Sequence, residues 1–172
     1  MSDIFSIRPA TPDDAEAVTA VLAASYPLLL APGYEPDILA PALPLMTRAN
    51  PALLRSGTYH LAIASGGAVV GCGGWTLQRP GASGEPVDPE LGHIRHFGTH
   101  PDWAGRGIAR ALMDHCIAEA RAAGVRRLEC YSTLVAEGFY KALGFTTIEP
   151  ITVMLAGSVA LPSLRMTRPL AV

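Results

Sequence analysis

The chain has 172 residues, a formal net charge of −2 and only 16% charged residues, which fits one domain spanning residues 1–172. The near-neutral charge argues against a nucleic-acid partner, and three widely spaced cysteines without a CxxC pair argue against a disulfide framework or a structural zinc site. The longest aliphatic run, at residues 28–30, is far shorter than the roughly 20 residues of a membrane span. These properties predict a cytoplasmic protein without a membrane partner.

The first elements are a strand and a helix. Phe5, Ile7 and Pro9 alternate as in a strand, and the following Thr11-Pro12-Asp13-Asp14 is typical of a helix start with Thr11 as N-cap. Residues 26–51 then carry six prolines in a Leu/Ala-rich segment, which predicts only short helical turns. We expect this segment to cover the core, to form a pocket wall, or to do both.

A hairpin and a third strand follow. Residues 58–64 and 68–77 are predicted strands joined by the turn at 65–67. The glycines at 71, 73 and 74 indicate a bulge or a close backbone approach inside the second of these strands. An exposed loop over 79–90 precedes a further strand over 91–99.

The remaining chain alternates helices and strands. Helical periodicity runs over 107–123 and ends at Gly124. A strand at 128–131, a short helix at 136–143, and two strands at 145–155 and 161–170 complete the chain. This order predicts an α/β fold, a mixed sheet with helices on its faces.

The junction before the long helix carries the clearest chemical signal. Gly105 and Gly107 lie in the turn, and the first N–H groups of the helix have no helical partner. Such groups, together with the helix dipole, can bind a pyrophosphate. A dinucleotide motif needs a third glycine where this chain has Arg110, and an ATP-binding loop needs Gly-Lys-Ser/Thr, whereas the only lysine is Lys141. A tight turn without a ligand is the alternative.

Two segments resemble one family, the GNAT N-acetyltransferase superfamily. Its motif A is similar to Thr99-His100-Pro101-Asp102-Trp103-Ala104-Gly105-Arg106-Gly107-Ile108-Ala109, and its Tyr-x-x-x-Gly-Phe segment is similar to Gly138-Phe139-Tyr140-Lys141-Ala142-Leu143-Gly144-Phe145. Weaker similarities at 69–71 and 166–170 extend the resemblance over nearly the whole chain. Ala104 replaces the usual Gln or Arg, and Thr133 stands where many members have Asn. The resemblance implies a mostly antiparallel, twisted sheet of about seven strands flanked by about four helices.

The resemblance also implies acetyl-CoA as co-substrate and assigns the residues that bind it. These are Phe97, Gly98, Thr99, Ala104, Gly105, Arg106, Gly107, Ile108, Ala109, Thr133 and Tyr140. Tyr140 lies at the position of the family's general acid, and a phenol with a reference pKa near 10 can protonate a departing thiolate.

The general base is less well defined. His93 occupies the strand position where several members carry a catalytic Glu or His, and His96 is the alternative. In a regular strand the two side chains face opposite sides unless a bulge intervenes. Glu90 and Glu129 are weaker candidates. The spacing of His93, His96 and His100 matches no common zinc motif, so no metal is expected.

Together these features predict transfer of an acetyl group to a primary amine by direct attack in a ternary complex. We expect the acceptor pocket to be built from residues 26–51, 79–90 and 148–165, which carry few acids. A small-molecule or amino-acid-like acceptor is therefore favoured over a basic protein tail. The alternatives are a non-catalytic acyl-CoA-binding module and transfer of a longer acyl group, and the low charge is also compatible with a homodimer.

Overall fold

A computed structural model describes residues 4–82 and 84–171, and within them a single seven-stranded sheet forms the centre of the molecule. The strands are β1 (Phe5–Pro9), β2 (Tyr59–Ala64), β3 (Val69–Thr76), β4 (Leu91–Thr99), β5 (Arg127–Thr133), β6 (Thr146–Leu155) and β7 (Val159–Pro169). Their order is β1-β2-β3-β4-β5-β7-β6. The β4–β5 pair is parallel, whereas the other neighbours are antiparallel. The predicted sheet is therefore confirmed.

Helices cover both faces of the sheet. They are α1 (Ala15–Leu30), α2 (Pro36–Met46), the short α3 (Pro51–Arg55), α4 (Ile108–Ala122) and α5 (Glu137–Ala142). One apolar core joins α1, α2 and α3 to Leu61 and Cys72 of the sheet. A second core joins α4 and α5 to Ile94 and Leu128. Because neighbouring strand residues point to opposite faces, β3 and β7 contribute to both cores, with Cys72 and Leu161 in the first and Trp75 and Met166 in the second.

The predicted start of α1 at Thr11 is confirmed, although the first turn is a 3₁₀ turn over Pro12–Asp14. The Thr11 amide donates to the Asp14 carboxylate at 2.8 Å, and Arg8 of β1 donates two further hydrogen bonds to the same carboxylate. The helical segment Pro12–Gly33 has a mean hydropathy of 1.4 and the length of a membrane span. One face of α1 nevertheless packs against β3 and β4 in the core.

The prediction of only short helical turns over residues 26–51 was wrong. α1 continues past Pro27, and α2 runs for 11 residues with Pro41 and Pro44 inside it. Each interior proline lacks an amide donor and costs roughly 3 kcal/mol or more. Burial of Leu39 and Ala42 in the core offsets part of this cost, because an amphipathic face contributes most of the stability of a helix in a protein.

The predicted irregularity in β3 is present and is shared with β4. The register between the two strands shifts between Cys72 and Gly74. A Cβ atom on Gly73 would lie 2.7 Å from the Phe97 ring, so the close approach of the two strands requires glycine there. Opposite this point, His96 has a φ of 51°, which marks a β-bulge in β4.

Candidate active site

The parallel strands β4 and β5 separate along their length. They pair from Leu91 with Arg127 to His93 with Glu129, and no pairing is formed beyond this point in the described chain. β4 then passes through the bulge at His96 and continues to Thr99. Along residues 94–99, the edge of β4 that faces β5 has no strand partner. Such an edge can form backbone hydrogen bonds with an extended ligand.

A cavity of about 880 Å³ occupies this opening. Its walls include residues 94–99 of β4, Tyr131 and Thr133 of β5, and Tyr140 of α5. All three segments predicted to form the acceptor side also contribute, through Tyr26 and residues 28–30, four residues between 45 and 50, Pro80, and residues of the β6–β7 hairpin. The volume is within the range of small-molecule sites in proteins.

The glycine-rich turn forms one end of the cavity. Gly105 and Gly107 have φ values of 76° and 79°, a left-handed conformation that favours glycine. The first helical hydrogen bond of α4 runs from the Ala111 amide to the Gly107 carbonyl. The amides of residues 108–110 therefore have no partner within the helix. A Cβ atom on either glycine would meet nothing within 4 Å, so this turn faces open space.

Ten of the residues predicted to bind the cofactor line the cavity. They are Phe97, Gly98, Thr99, Ala104, Gly105, Gly107, Ile108, Ala109, Thr133 and Tyr140. Arg106 does not line it, and its guanidinium stacks 4.5 Å above the Trp103 ring. The Thr133 hydroxyl is buried and has no hydrogen-bond partner among the described residues. The free amides, the unpaired strand edge and this hydroxyl together fit a phosphate- and amide-bearing ligand.

Tyr140 lies on α5 with its ring enclosed by aromatic side chains. It contacts Phe139 and Phe145 edge to face, at centroid distances of 5.2 and 5.4 Å. Burial raises the pKa of the Tyr140 phenol well above its ordinary value. The hydroxyl is therefore a proton donor throughout the neutral range.

His96 lines the cavity, and its bulge is held by two tyrosines. Tyr26 donates to the Phe97 carbonyl at 2.6 Å, and Tyr59 donates to the His96 carbonyl at 2.7 Å. The Nε2 atom of His96 lies 2.7 Å from the Met46 carbonyl. Since a carbonyl can only accept, Nε2 carries a proton, and Nδ1 of the neutral ring is the acceptor. Burial lowers the pKa of His96, which keeps the ring neutral near pH 7.

His93 does not line the cavity. It is buried in the sheet, where its Nδ1 lies 3.7 Å from Glu129 Oε1. Burial lowers the pKa of His93 despite the nearby carboxylate. Glu129 also pairs with Arg165 at 3.2 Å, and neither Glu129 nor the exposed Glu90 lines the cavity.

A cluster of three potential metal ligands lies outside the cavity. No sequence pattern indicated it. Ligand atoms of His60, His115 and Glu119 lie within 4.8 Å of one another. His60 Nε2 hydrogen bonds to Glu119 Oε1 at 2.9 Å, and Trp75 donates to the same oxygen at 2.8 Å. Metal binding through Nε2 would move the proton to Nδ1 of His60, which is buried and has no hydrogen-bond partner among residues 4–82 and 84–171. The arrangement fits a hydrogen-bond network, and the absence of a metal stays a prediction.

The three cysteines are buried and free. Burial raises the pKa of the Cys72 thiol to about 11 and that of Cys130, which lines the cavity, above its ordinary value. Because the thiolate is the reactive form, burial disfavours a cysteine nucleophile at neutral pH.

Two features of the cavity were not predicted from the sequence, namely the charge of Arg95 in its wall and the contact of Tyr26 with the bulge. Tyr26 holds the bulge from α1, and Arg95 extends from β4 immediately before it. Arg95 could have been noticed as a charged residue inside a strand that is otherwise largely buried. Tyr26 carried no such signal, since an aromatic residue near the end of an apolar helix is usually a core residue.

Comparison with known proteins identifies the family. Residues 24–145 match the Acetyltransferase (GNAT) family, which is more than half of the chain, and the chain therefore belongs to the GNAT acetyltransferases. No curated protein sequence matches it significantly. The family assignment confirms the resemblance described above.

Solved structures share the fold over nearly the whole chain. A GCN5-related N-acetyltransferase from Rhodopseudomonas palustris is 25% identical with a TM-score of 0.79, over 99% of this chain and 98% of that one. The PaiA N-acetyltransferase from Thermoplasma acidophilum, solved with coenzyme A, is 16% identical with a TM-score of 0.73, over 98% and 99% of the two chains. N-acetylglutamate synthase from Neisseria gonorrhoeae, solved with coenzyme A and N-acetyl-glutamate, is 18% identical with a TM-score of 0.63. All of this chain, but only 36% of the synthase, is covered.

Proposed function

We propose that this GNAT acetyltransferase transfers an acetyl group from acetyl-CoA to the primary amine of a small-molecule or amino-acid-like acceptor, by direct attack in a ternary complex. The observation that carries the proposal is the single cavity into which the glycine-rich turn, the unpaired edge of β4 and a protonated Tyr140 all open. The whole chain is one catalytic domain in this proposal, and a cytoplasmic location and homodimer formation remain expectations.

The cofactor site follows from the free backbone donors. The amides of residues 105–109 bind the pyrophosphate at the start of α4, where the helix dipole adds positive potential. The unpaired edge of residues 97–99 binds the extended arm of the cofactor, and one of its amides polarises the thioester carbonyl. Acetyl-CoA supplies the acetyl group as a thioester.

Two side chains handle protons. Tyr140 donates one to the departing thiolate, because its phenol is protonated at neutral pH and faces the cavity. His96 is the favoured base, since it lines the cavity with a neutral ring and a free Nδ1, whereas His93 lies behind the cavity wall. Comparison of kcat for His96→Asn and His93→Asn decides between them, and a larger loss for His93→Asn would reverse this assignment.

The segment 26–51 forms the acceptor-side wall. α1 contributes the exposed Leu28 and Leu29, and the end of α2 contributes Leu45 and Met46. These side chains favour an acceptor with an apolar portion, because burying apolar surface contributes roughly 25 cal/mol per Å².

The second candidate is a non-catalytic acyl-CoA-binding module. Ala104 lines the cavity without the Gln or Arg side chain that is usual at this position in the family. This departure is the observation that favours the non-catalytic module. Titration calorimetry with acetyl-CoA, combined with thiol release across a panel of amines, separates the two. We expect binding together with release of CoA. Tight binding with no release by any amine would support the binding module, and faster release from longer acyl-CoA thioesters would indicate a different acyl donor.

A further inference from the structure

Arg95 is a partly buried cation in the cavity wall whose partners are all neutral. Its Nη1 donates to the Thr76 hydroxyl at 2.9 Å and approaches the Gln78 carbonyl at 3.4 Å. Among residues 4–82 and 84–171, no carboxylate lies within 4.0 Å of its guanidinium. A buried charge without a counterion is costly, so this site is electrostatically incomplete.

Three other arginines of the described chain that contact the folded surface have counterions. Arg8 pairs with Asp14 at 2.8 Å, Arg79 with Glu85 at 3.0 Å, and Arg165 with Glu129 at 3.2 Å. Arg79 is half exposed and still has a carboxylate partner. Burial also lowers the pKa of Arg95, although a guanidinium stays protonated at any physiological pH. The missing partner therefore distinguishes Arg95 from these arginines.

The cavity around Arg95 offers no negative charge of its own. Its described lining includes no Asp, Glu or Lys residue, and its charged members are Arg48, Arg95 and Arg110. Arg110 belongs to the first turn of α4, beside the proposed phosphate site. Thr99, the last residue of β4, lies four positions beyond Arg95, which is about 13 Å of strand. Arg95 is thus too far along β4 to serve the pyrophosphate.

The bulge places Arg95 close to the reacting end of the cofactor. Phe97, which belongs to the segment of β4 without a β5 partner, is only two residues away, or about 7 Å of strand. A small molecule that carries both an amine and a carboxylate can therefore reach the thioester while its carboxylate contacts Arg95. The remaining wall near this point is apolar, with Leu29, Met46 and Leu155 among its members.

We propose that Arg95 binds a carboxylate on the acceptor, so that the preferred acceptors are small apolar amino acids rather than simple amines or polyamines. This inference rests on the proposed acetyl transfer for its reaction, but the carboxylate site can be tested without turnover. Arg95 acts here by binding the acceptor, and the bidentate geometry of guanidinium and carboxylate suits this role.

The first experiment measures thiol release with matched acceptors that differ only in the carboxylate. Leucine is compared with 3-methylbutylamine, and phenylalanine with 2-phenylethylamine, in the wild type and Arg95→Met. A hydrogen bond to a charged group contributes about 1.5–3 kcal/mol, which corresponds to about 10–150-fold in kcat/KM. We expect the preference for the amino acid to fall by this factor in Arg95→Met, mainly through KM. The different basicities of the amines cancel because each pair is compared between the two proteins.

Arg95→Lys and Arg121→Met are the controls. The lysine variant keeps the charge and should recover part of the preference. Arg121 is exposed at the end of α4, away from the cavity, so its substitution should leave the preference unchanged. Equal losses for both members of each pair in Arg95→Met would overturn the inference, because they would indicate a general structural defect.

The second experiment is independent of catalysis. The protein loaded with coenzyme A is titrated by calorimetry with 4-methylpentanoate and with the neutral 4-methylpentanamide. We expect the carboxylate to bind more tightly than the amide to the wild type, and this difference to be lost in Arg95→Met. Equal binding of the two ligands to the wild type would refute the carboxylate site. Tight carboxylate binding without thiol release by any amine would instead refute the proposed transfer while retaining the site.

Discussion

At the residue scale, the site depends on side chains whose protonation is set by burial. Tyr140 is enclosed by Phe139 and Phe145, and its raised pKa keeps the hydroxyl protonated. His96 is neutral for the same physical reason, since burial disfavours the charged form of both groups. Burial therefore leaves a proton donor, Tyr140, and a proton acceptor, His96, in the same cavity.

Replacement of Tyr140 tests the donor directly. We expect Tyr140→Phe to lower kcat about 10²-fold or more, because general acid catalysis contributes roughly 10²–10⁴-fold. The KM for acetyl-CoA should change much less, since the substitution removes one oxygen atom and keeps the ring packing. Steady-state thiol release measures both parameters.

Tyr131→Phe is the matched control, because Tyr131 lines the same cavity from β5 but lies outside the position of the general acid. Its kcat should stay within a few-fold of the wild type. Unchanged turnover in Tyr140→Phe would remove this hydroxyl from the mechanism.

At the element scale, α4 carries a glycine with positive φ at each end. Gly107 precedes the helix with a φ of 79°, and Gly124 follows it with a φ of 89°. In both positions a Cβ atom would meet nothing within 4 Å. The two sites therefore impose the same conformational penalty on alanine, about 1 kcal/mol, but only Gly107 lies at the cavity.

This symmetry gives a matched pair of variants. We expect Gly107→Ala and Gly124→Ala to lose similar free energy of unfolding, measured by urea denaturation. Only Gly107→Ala should weaken coenzyme A binding, by about tenfold or more in calorimetry, because its methyl group occupies the space that a phosphate must enter. Equal affinities in both variants would contradict a phosphate site at this turn.

The sequence predicts some of these elements and not others. Periodicity and turn residues predicted the bounds of β4 and α4 to within a residue, because both signals are local in sequence. The bulge at His96 depends on pairing with β3, and the length of α2 depends on burial of Leu39 and Ala42. The isolated charge of Arg95 is likewise a property of packing, because no sequence pattern indicates which carboxylate will lie nearby. The unpredicted features are thus those created by contacts distant in sequence.

At the scale of the whole molecule, folding joins the N-terminal strand to the first helix through one ion pair. Arg8 of β1 binds Asp14 with two hydrogen bonds of 2.8 and 2.9 Å, and the Thr11 amide donates a third. The Arg8 guanidinium, with the Thr11 amide, holds the pKa of Asp14 at about 2. The unfolded chain should have the ordinary value near 3.9.

This difference makes global stability depend on pH. Because the folded pKa of Asp14 lies below the unfolded one, its contribution is fully present above about pH 4 to 5, and it disappears as the pH falls towards 2. Solvent screening at the half-exposed Arg8 reduces the contribution to about 1–2 kcal/mol. We expect Asp14→Asn to lose this amount at pH 7, measured by urea denaturation, and the difference from the wild type to shrink below pH 4.

Asp13→Asn is the matched control, because Asp13 lies next to Asp14 in the same turn, is exposed, and forms no ion pair within the described structure. Its stability should follow that of the wild type at every pH. A destabilisation of Asp14→Asn that stays constant from pH 7 to 3 would show that the carboxylate acts through packing or helix capping alone. A difference in unfolding free energy that decreases as the pH falls would instead show that the Arg8–Asp14 charge pair joins the edge of the sheet to α1. The contact of Tyr26 with the bulge depends on this helix.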